Sequence, residues 1–422
     1  MSVFYQKNRQ SLLQKIENNS LVLFFSDQHQ FNEELSAKAA FEVNKNFYYL
    51  TGIEQKNVVL LMVKNEQKEE VFLFLDPVDP VKKLWDGETL SFAKAAEISS
   101  IPVKNCLDIN LLETFVFSLL NIVKISKFGY MENIYLDLSK FKLKDNLSVS
   151  LKMANLIQTN YPFLRIKDHC RLVADLRITK QPEEITLIQQ AIALNKTALE
   201  GIAQKMQPGL YEYEISAFYH YVLESHGLTN SFHTIVASGN NATILHYNQK
   251  KSPIGTNDLV LIDCGVRYQN YTSDVSRCFP VSGKFTPQQK QIYEIVLKAN
   301  KKTIEWIKPG YTFAEMNHYG KQILSDGLSE LGFLKKDESI DKYCYHGLGH
   351  YLGLEVHDVG NSFEPIKENS IITIEPGLYL PELSLGIRIE DDVLVSSNGN
   401  VNLTHNIPKE IDDIEQLMTK NK

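Results

Sequence analysis

No apolar run in this chain of 422 residues is long enough to cross a bilayer. The longest, Val58-Val59-Leu60-Leu61-Met62-Val63, has the length of a strand, whereas a spanning helix needs about 18 residues. The N-terminus carries Lys7, Arg9 and Lys15, but only the short run Leu21 to Phe25 follows, without a small-residue cleavage site. A secretory leader is therefore not expected. A basic excess is also missing: 44 Lys and Arg stand against 51 Asp and Glu, a formal charge of -7. That argues against a general nucleic-acid binder and leaves no polybasic patch for a membrane surface. Cysteine is scarce. The five residues Cys106, Cys170, Cys264, Cys278 and Cys344 are odd in number, widely spaced and free of any C-x-x-C. A disulfide framework or a cysteine zinc site is not expected, and reduced, mostly buried thiols suit a cytoplasmic protein.

What is present is enough apolar material, 43% of the residues, for two sizeable cores. Residues 1–170 alternate short apolar runs with helical stretches. Val58 to Val63 and Val71 to Leu75 read as buried strands split by the charged turn Lys64 to Glu70, so this half is expected to be an α/β domain. A second domain is expected over residues 171–422. Gln181-Pro182-Glu183-Glu184 reads as a helix start, with proline in the first turn and acids complementing the dipole. That helix ends at Pro208-Gly209, and another runs from about Glu212 to Ser225. The same grammar recurs from Pro287 to Pro309-Gly310, followed by the capping box of Thr312 and Glu315. Asn195-Lys196 and Asn300-Lys301 correspond across this weak duplication. Its period is too long for a solenoid and suggests two pseudo-symmetric halves sharing one site.

Three stretches carry chemistry. Leu259 to Ile262 drives a run of β-formers into Asp263, and Asp274 follows beyond the turn Arg267 to Asn270. A hairpin centred between Tyr268 and Gln269 would set Asp263 directly opposite Asp274, with Cβ atoms about 4.5–5.5 Å apart. Two carboxylates that close repel unless a cation lies between them. The plainer alternative, an acid at a solvated turn, is disfavoured by the apolar run before Asp263. Next, Tyr345 to Asp358 holds His346, His350 and His357. The spacing of the first two imitates the helical H-E-x-x-H zinc motif, but Gly347 stands where the glutamate belongs and three glycines weaken a helix. An extended chain is expected instead. Finally, Ile371 to Ile374 drives into Glu375, and Ile387 to Asp391 alternates, placing Arg388 and Glu390 on one strand face. A surface ion pair is the plain alternative there. Buried charges need partners, and basic residues nearby are few. Two divalent cations about 3.5–4 Å apart would satisfy all these acids. Oxygen-rich donors with one imidazole suit Mn²⁺, Co²⁺ or Zn²⁺.

The order Asp263, Asp274, His350, Glu375, Glu390, with the motifs D-C-G, T-S-D-V-S-R, H-G-L-G-H-Y-L-G-L-E-V-H-D, I-E-P-G and R-I-E-D, resembles the pita-bread (creatinase-like) metallopeptidases. That family contains methionine aminopeptidase, aminopeptidase P and prolidase. Asn46-Phe47-Tyr48-Tyr49-Leu50-Thr51-Gly52 and Leu84-Trp85-Asp86-Gly87 look like the N-terminal domain of aminopeptidase P, the Xaa-Pro aminopeptidase group. The resemblance implies an α/β (α+β) chain whose second domain is a pseudo-symmetric pita-bread fold. It implies two metal ions, most readily Mn²⁺, held by Asp263, Asp274, His350, Glu375 and Glu390, with a metal-bridging hydroxide as nucleophile and Glu375 doubling as acid/base. His246 matches a substrate-site histidine. His357 would hydrogen-bond the scissile carbonyl or its oxyanion, Arg388 would steady the acids, and His346 and Tyr379 are further substrate-site candidates. The implied partners are peptides with proline second, together with other copies of the chain in a dimer or tetramer, in which Trp85 would approach a neighbour's site. The alternatives are prolidase, restricted to Xaa-Pro dipeptides, and a metal-free peptide-binding module of the same fold.

Overall fold

A computed structural model describes residues 1–27, 41–124, 126–140, 142, 144, 146–335 and 337–419. The chain divides into two compact units, Met1–Arg177 and Ile178–Lys422. No helix among the described residues is long and apolar enough to cross a membrane.

The first unit is built on six strands: β1 (Ser20–Phe25), β2 (Val59–Lys64), β3 (Glu69–Leu75), β4 (Cys106–Asp108), β5 (Asn133–Leu136) and β6 (Arg165–Asp168). Their order is β4-β3-β2-β1-β5-β6. The apolar runs read from sequence form the antiparallel centre, with Val59 opposite Phe74 and Lys64 opposite Glu69, and β4, β5 and β6 join in parallel. Leu21 and Leu23 pack with Val116 and Leu119 of helix Leu112–Leu120 and with Ile157 of helix Val149–Asn160. Val22 and Phe24, on the opposite face, are also buried. A sheet covered on both sides explains why these strands are continuously apolar rather than alternating.

The second unit repeats one plan. Helices Pro182–Lys205 and Glu212–Ser225 precede β7 (Thr229–Asn230), β8 (Ile235–Ser238), β9 (Leu259–Cys264), β10 (Val266–Tyr268), β11 (Tyr271–Thr272) and β12 (Val275–Pro280). Helices Pro287–Trp306 and Phe313–Glu330 precede β13 (Ile371–Ile374), β14 (Gly377–Leu380), β15 (Leu385–Arg388), β16 (Asp391–Leu394) and β17 (Val401–Asn402). The turns between the paired helices match: Gly209 and Gly310 sit at φ +88° and +94°, a region open to glycine without strain. Each donates its N–H to the unit's own loop, to the Ile254 and Ile366 carbonyls respectively. The capping box forms as expected, with Thr312 N–H on Glu315 Oε2 at 2.8 Å and Glu315 N–H on Thr312 Oγ1 at 3.2 Å. The duplication reaches the core. Asn195 and Asn300 are both fully buried, and each donates its side-chain amide to strand-end carbonyls: Asn195 to Cys264, and Asn300 to Ile374 and Ile389.

The hairpin register differs from the sequence expectation. Arg267 pairs with Thr272 and Asp263 with Ser276, so the turn centres between Gln269 and Asn270, one residue beyond the expected point. Both turn residues have positive φ, +46° and +65°, the backbone of a tight type I′ hairpin whose twist matches its strands. The pairing therefore moves by two residues. Because the side-chain period is two, the faces are preserved. Asp263 and Asp274 become diagonal rather than directly opposed neighbours.

Candidate metal centre and active site

Strand ends deliver the acids. Asp263 lies in β9, and Asp274 in the break between β11 and β12. Glu375 follows β13, and Glu390 sits between β15 and β16. The histidine stretch is neither helix nor regular strand, apart from a bridge of Tyr351 to Ile372. Gly349 is needed there for close approach, because a Cβ would lie 2.1 Å from the Thr373 carbonyl oxygen. The His350 N–H in turn donates to Thr373 Oγ1. Asp274 and Glu390 are buried, His346, His350 and Glu375 are half-buried, and His246 and His357 are exposed. Asp274 and Glu390 thus lie at the bottom of an acid floor and His246 and His357 at its mouth, with Asp263, Glu375, His346 and His350 between.

Arg388 organises the floor. Its Nη2 donates to Asp263 Oδ2 at 2.6 Å, its Nε to Ser276 Oγ at 2.9 Å and its Nη1 to the Tyr379 hydroxyl at 2.9 Å. The Ser276 hydroxyl in turn donates to Glu390 Oε2 at 2.8 Å. The Tyr379 hydroxyl lies 2.9 Å from His346 Nε2, and His346 Nδ1 faces the Gly347 carbonyl. This pattern makes His346 a neutral acceptor at Nε2, and burial followed by the charge of Arg388 lowers its pKa to about 4. The face-sharing of Arg388 and Glu390 is therefore not a surface ion pair. Both are buried, with Ser276 between them.

The floor holds too much negative charge to stand unaided. Burial, then Asp263, Asp392 and Glu375, push Asp274 well above the ordinary carboxylate range. Burial, then Asp274 and Glu375, do the same to Glu390. Glu375 is raised to about 6, again chiefly by burial, with His350 and Arg388 opposing. Burial pulls the Arg388 pKa down, but Tyr379, Asp263 and Glu390 more than offset it and hold the value above the usual one.

The donors fit divalent cations. His350 Nδ1 lies 3.0 Å from the Tyr351 carbonyl, which places the ring proton there and leaves the Nε2 lone pair facing Asp274 Oδ2 at 3.5 Å and Glu375 Oε1 at 3.8 Å. Acceptors facing one another across such gaps call for a proton or a cation between them. Asp263 Oδ1 and Asp274 Oδ1 are buried without a hydrogen-bond partner, another mark of positions meant for a metal. One ligand atom from each of Asp274, His350 and Glu390 falls within a 4.8 Å cluster. A second grouping, Asp137, Asp168 and Cys170, is a weaker candidate, since its acids accept from the Leu138, Ser139 and Arg171 amides.

Residues 186–397 match metallopeptidase family M24 and residues 5–125 match the aminopeptidase P N-terminal domain. The chain belongs to metallopeptidase family M24. Like its M24 relatives it is a metal-dependent hydrolase. An Xaa-Pro aminopeptidase of Haemophilus influenzae is 34% identical across 98% of this chain and 96% of its own length. A Bacillus anthracis structure assigned to aminopeptidase P superposes with a TM-score of 0.94 at 38% identity, covering 100% of this chain and 99% of that one. Escherichia coli aminopeptidase P with the inhibitor Pro-Leu gives 0.87 at 29% identity, with the same coverage.

All the M24 candidates read from the sequence around Asp263, Asp274, His346, His350, Glu375, Tyr379, Arg388 and Glu390 lie in this one network. His357 stacks edge-on against His350 with ring centroids 4.2 Å apart. His246 lies near enough to His346 and His357 to depress both pKa values, after burial and their nearer neighbours. Two participants were not singled out as site residues in the sequence. Ser276 stands inside the motif T-S-D-V-S-R, with no role of its own assigned there. Asp392 is fully buried and accepts the Asp274 N–H at 3.2 Å, yet nothing distinguishes it from a strand residue beside Asp391.

Proposed function

We propose that the chain is an Xaa-Pro aminopeptidase, hydrolysing the bond between an N-terminal residue and a following proline. The match of its N-terminal region to the aminopeptidase P domain, beside an M24 acid floor with two partnerless carboxylate oxygens, carries this reading over prolidase. Asp263, Asp274, His350, Glu375 and Glu390 would hold two divalent cations, with Mn²⁺ favoured by four carboxylates to one imidazole. Bound there, the cations supply Lewis acidity and lower the pKa of water.

The protein's own groups do the rest. Glu375, whose carboxylate lies between His350 and His346 at 3.8 Å from each, would take a proton from the attacking water and deliver it to the proline nitrogen as the C–N bond breaks. His357, exposed at the mouth, would donate to the scissile carbonyl as it gains negative charge, and His246, also exposed, would line the substrate site. Tyr379 and Arg388 keep His346 neutral and oriented beside Glu375, 3.8 Å away. The proposed setting is a homo-oligomer, dimer or tetramer, in the cytoplasm. Leu84 and Trp85, 86% and 85% exposed, offer apolar surface for self-association, and the five cysteines are free thiols.

The test is release of the first residue from matched Xaa-Pro-Yaa and Xaa-Pro peptides with added Mn²⁺. Cleavage of the tripeptide at the Xaa-Pro bond is expected. Cleavage of the dipeptide alone would reassign the chain as a prolidase. With metal bound and neither peptide cut, the substrate class is wrong.

A further inference from the structure

We propose that the C-terminal segment 404–409 sets the positions of Glu375 and Glu390 through one buried network, in which Arg277, Asn300, Asp391 and Lys409 are positioning residues. This rests on the reading of Glu375 and Glu390 as metal ligands. It assigns the role to residues that touch neither the cations nor a substrate.

Arg277 is fully buried. Its Nη1 donates to the Glu390 carbonyl at 2.6 Å and the Ser276 carbonyl at 2.9 Å. Its Nη2 donates to Asp391 Oδ1 at 2.8 Å and the Ile407 carbonyl at 3.3 Å, and its Nε to the Pro408 carbonyl at 3.0 Å. One guanidinium thus ties the backbone of a ligand residue to the C-terminal segment. Asp391 takes a second bond on Oδ1 from Thr404 Oγ1 at 2.7 Å, while Lys409 Nζ pairs with its Oδ2. Lys409 also donates to Asn300 Oδ1 at 2.8 Å. The Asn300 amide then spans two strands, donating to the Ile374 carbonyl at 3.1 Å and the Ile389 carbonyl at 3.3 Å. Each carbonyl belongs to the residue just before a ligand glutamate. The Tyr293 hydroxyl, at 2.7 Å from the Lys409 carbonyl, anchors the segment itself.

Geometry and charge both support a positioning role. The spacing between Glu375 and Glu390 is bridged by a single amide whose orientation is fixed by Lys409. The network is a buried cation–anion–cation set, Arg277, Asp391 and Lys409, leaving one positive charge directly behind a floor of acids. Groups that orient metal ligands from outside the coordination sphere commonly alter metal affinity about 10–100-fold when removed.

The experiment titrates the purified full chain, freed of metal, with Co²⁺, following binding by calorimetry and by visible absorption, which reports ligand geometry. Lys409→Met is expected to weaken Co²⁺ binding by about 10-fold or more and to alter the spectrum, with Lys409→Arg restoring part of the loss. Lys301→Met removes only an exposed ion pair to Glu410 of the neighbouring C-terminal chain and should match wild type. If Lys409→Met does not fold, Thr404→Val decides. It is near-isosteric, removes the hydroxyl that bonds Asp391 and also contacts Asn402 Oδ1, and should shift the spectrum in the same sense. Wild-type affinity and spectrum in the folded Lys409→Met protein, or in Thr404→Val where that must serve, would overturn the proposal. A wild-type chain that takes up no Co²⁺ would overturn the ligand reading and this proposal with it.

Discussion

Asp274 is buried among acids, its N–H donating to Asp392, with Arg388 as a compensating charge. Its second carboxylate oxygen has no partner. Replacing it with asparagine keeps the shape but removes the charge that would bind metal. Asp274→Asn is therefore expected to abolish peptide cleavage while leaving the circular dichroism spectrum unchanged. Turnover at the wild-type rate would sink the metal assignment. A second residue-scale prediction concerns Glu184, which is almost wholly buried at the start of helix Pro182–Lys205. Burial raises its pKa to about 7, although the Gln181 N–H, Lys180 and the Tyr271 hydroxyl pull the other way. The folded chain thus holds this proton more tightly than the unfolded chain, where the value is near 4.5. The stability it contributes is complete below about pH 4.5 and is lost as pH rises through about 7. Glutamine keeps the acceptor of the capping box without the ionisation. Glu184→Gln should gain on wild type by roughly 2–3 kcal/mol between pH 5 and 8, read as the difference in denaturant midpoints. A constant difference across that range would refute the assignment.

At the scale of elements, the acids were legible because each ends or interrupts an apolar strand, a place where a charge has no cheap solvation. The histidine stretch was legible as non-helical because of its glycines, but the reason lies in packing. Gly349 has ordinary backbone angles and is glycine because β13 passes against it at Thr373. Gly349→Ala should cost about 1–3 kcal/mol through overpacking and displace His350, lowering affinity for added metal together with the melting temperature. A variant that melts lower yet binds metal normally would separate the two effects and show that the loop and the ligand are not rigidly linked. The hairpin register was not legible to the residue, since Arg267 to Asn270 offers no glycine to mark the turn and only the folded backbone shows where φ becomes positive. The duplication was legible through its Pro-Gly turns and paired asparagines. Their purpose, holding the strand ends beside Asp263, Glu375 and Glu390, required partners more than 60 positions away. Asp392 and Lys409 were hidden for the same reason, and Ser276 and Arg277 were visible only as letters of the motif T-S-D-V-S-R: what they do is defined by distant chain.

For the molecule as a whole, the proposed ligand set would couple metal binding to folding. Without cations, Asp274, Glu375 and Glu390 each meet burial and like charge by holding a proton more tightly than usual. Cations held by the proposed ligands would replace those protons and release the repulsion, and the unfolded chain would offer no comparable site. A ligand that binds only the folded state stabilises it by about 2.7 kcal/mol when present at 100 times its dissociation constant. In a unit of this size each kcal/mol moves the melting temperature by roughly 2–4 °C. Mn²⁺-loaded protein should therefore melt at least about 5 °C above chelator-treated protein at pH 7.5, and restoring Mn²⁺ should restore the difference. Protons and cations compete for the same oxygens. The gap should accordingly narrow as pH falls through the region near 6 where Glu375 takes up its proton. Asp274→Asn should show little gap at any pH, because a ligand is gone whatever the proton concentration. A melting temperature indifferent to chelation in the wild type would mean that the floor is stable on protons alone, and the cations would then have no part in holding the fold.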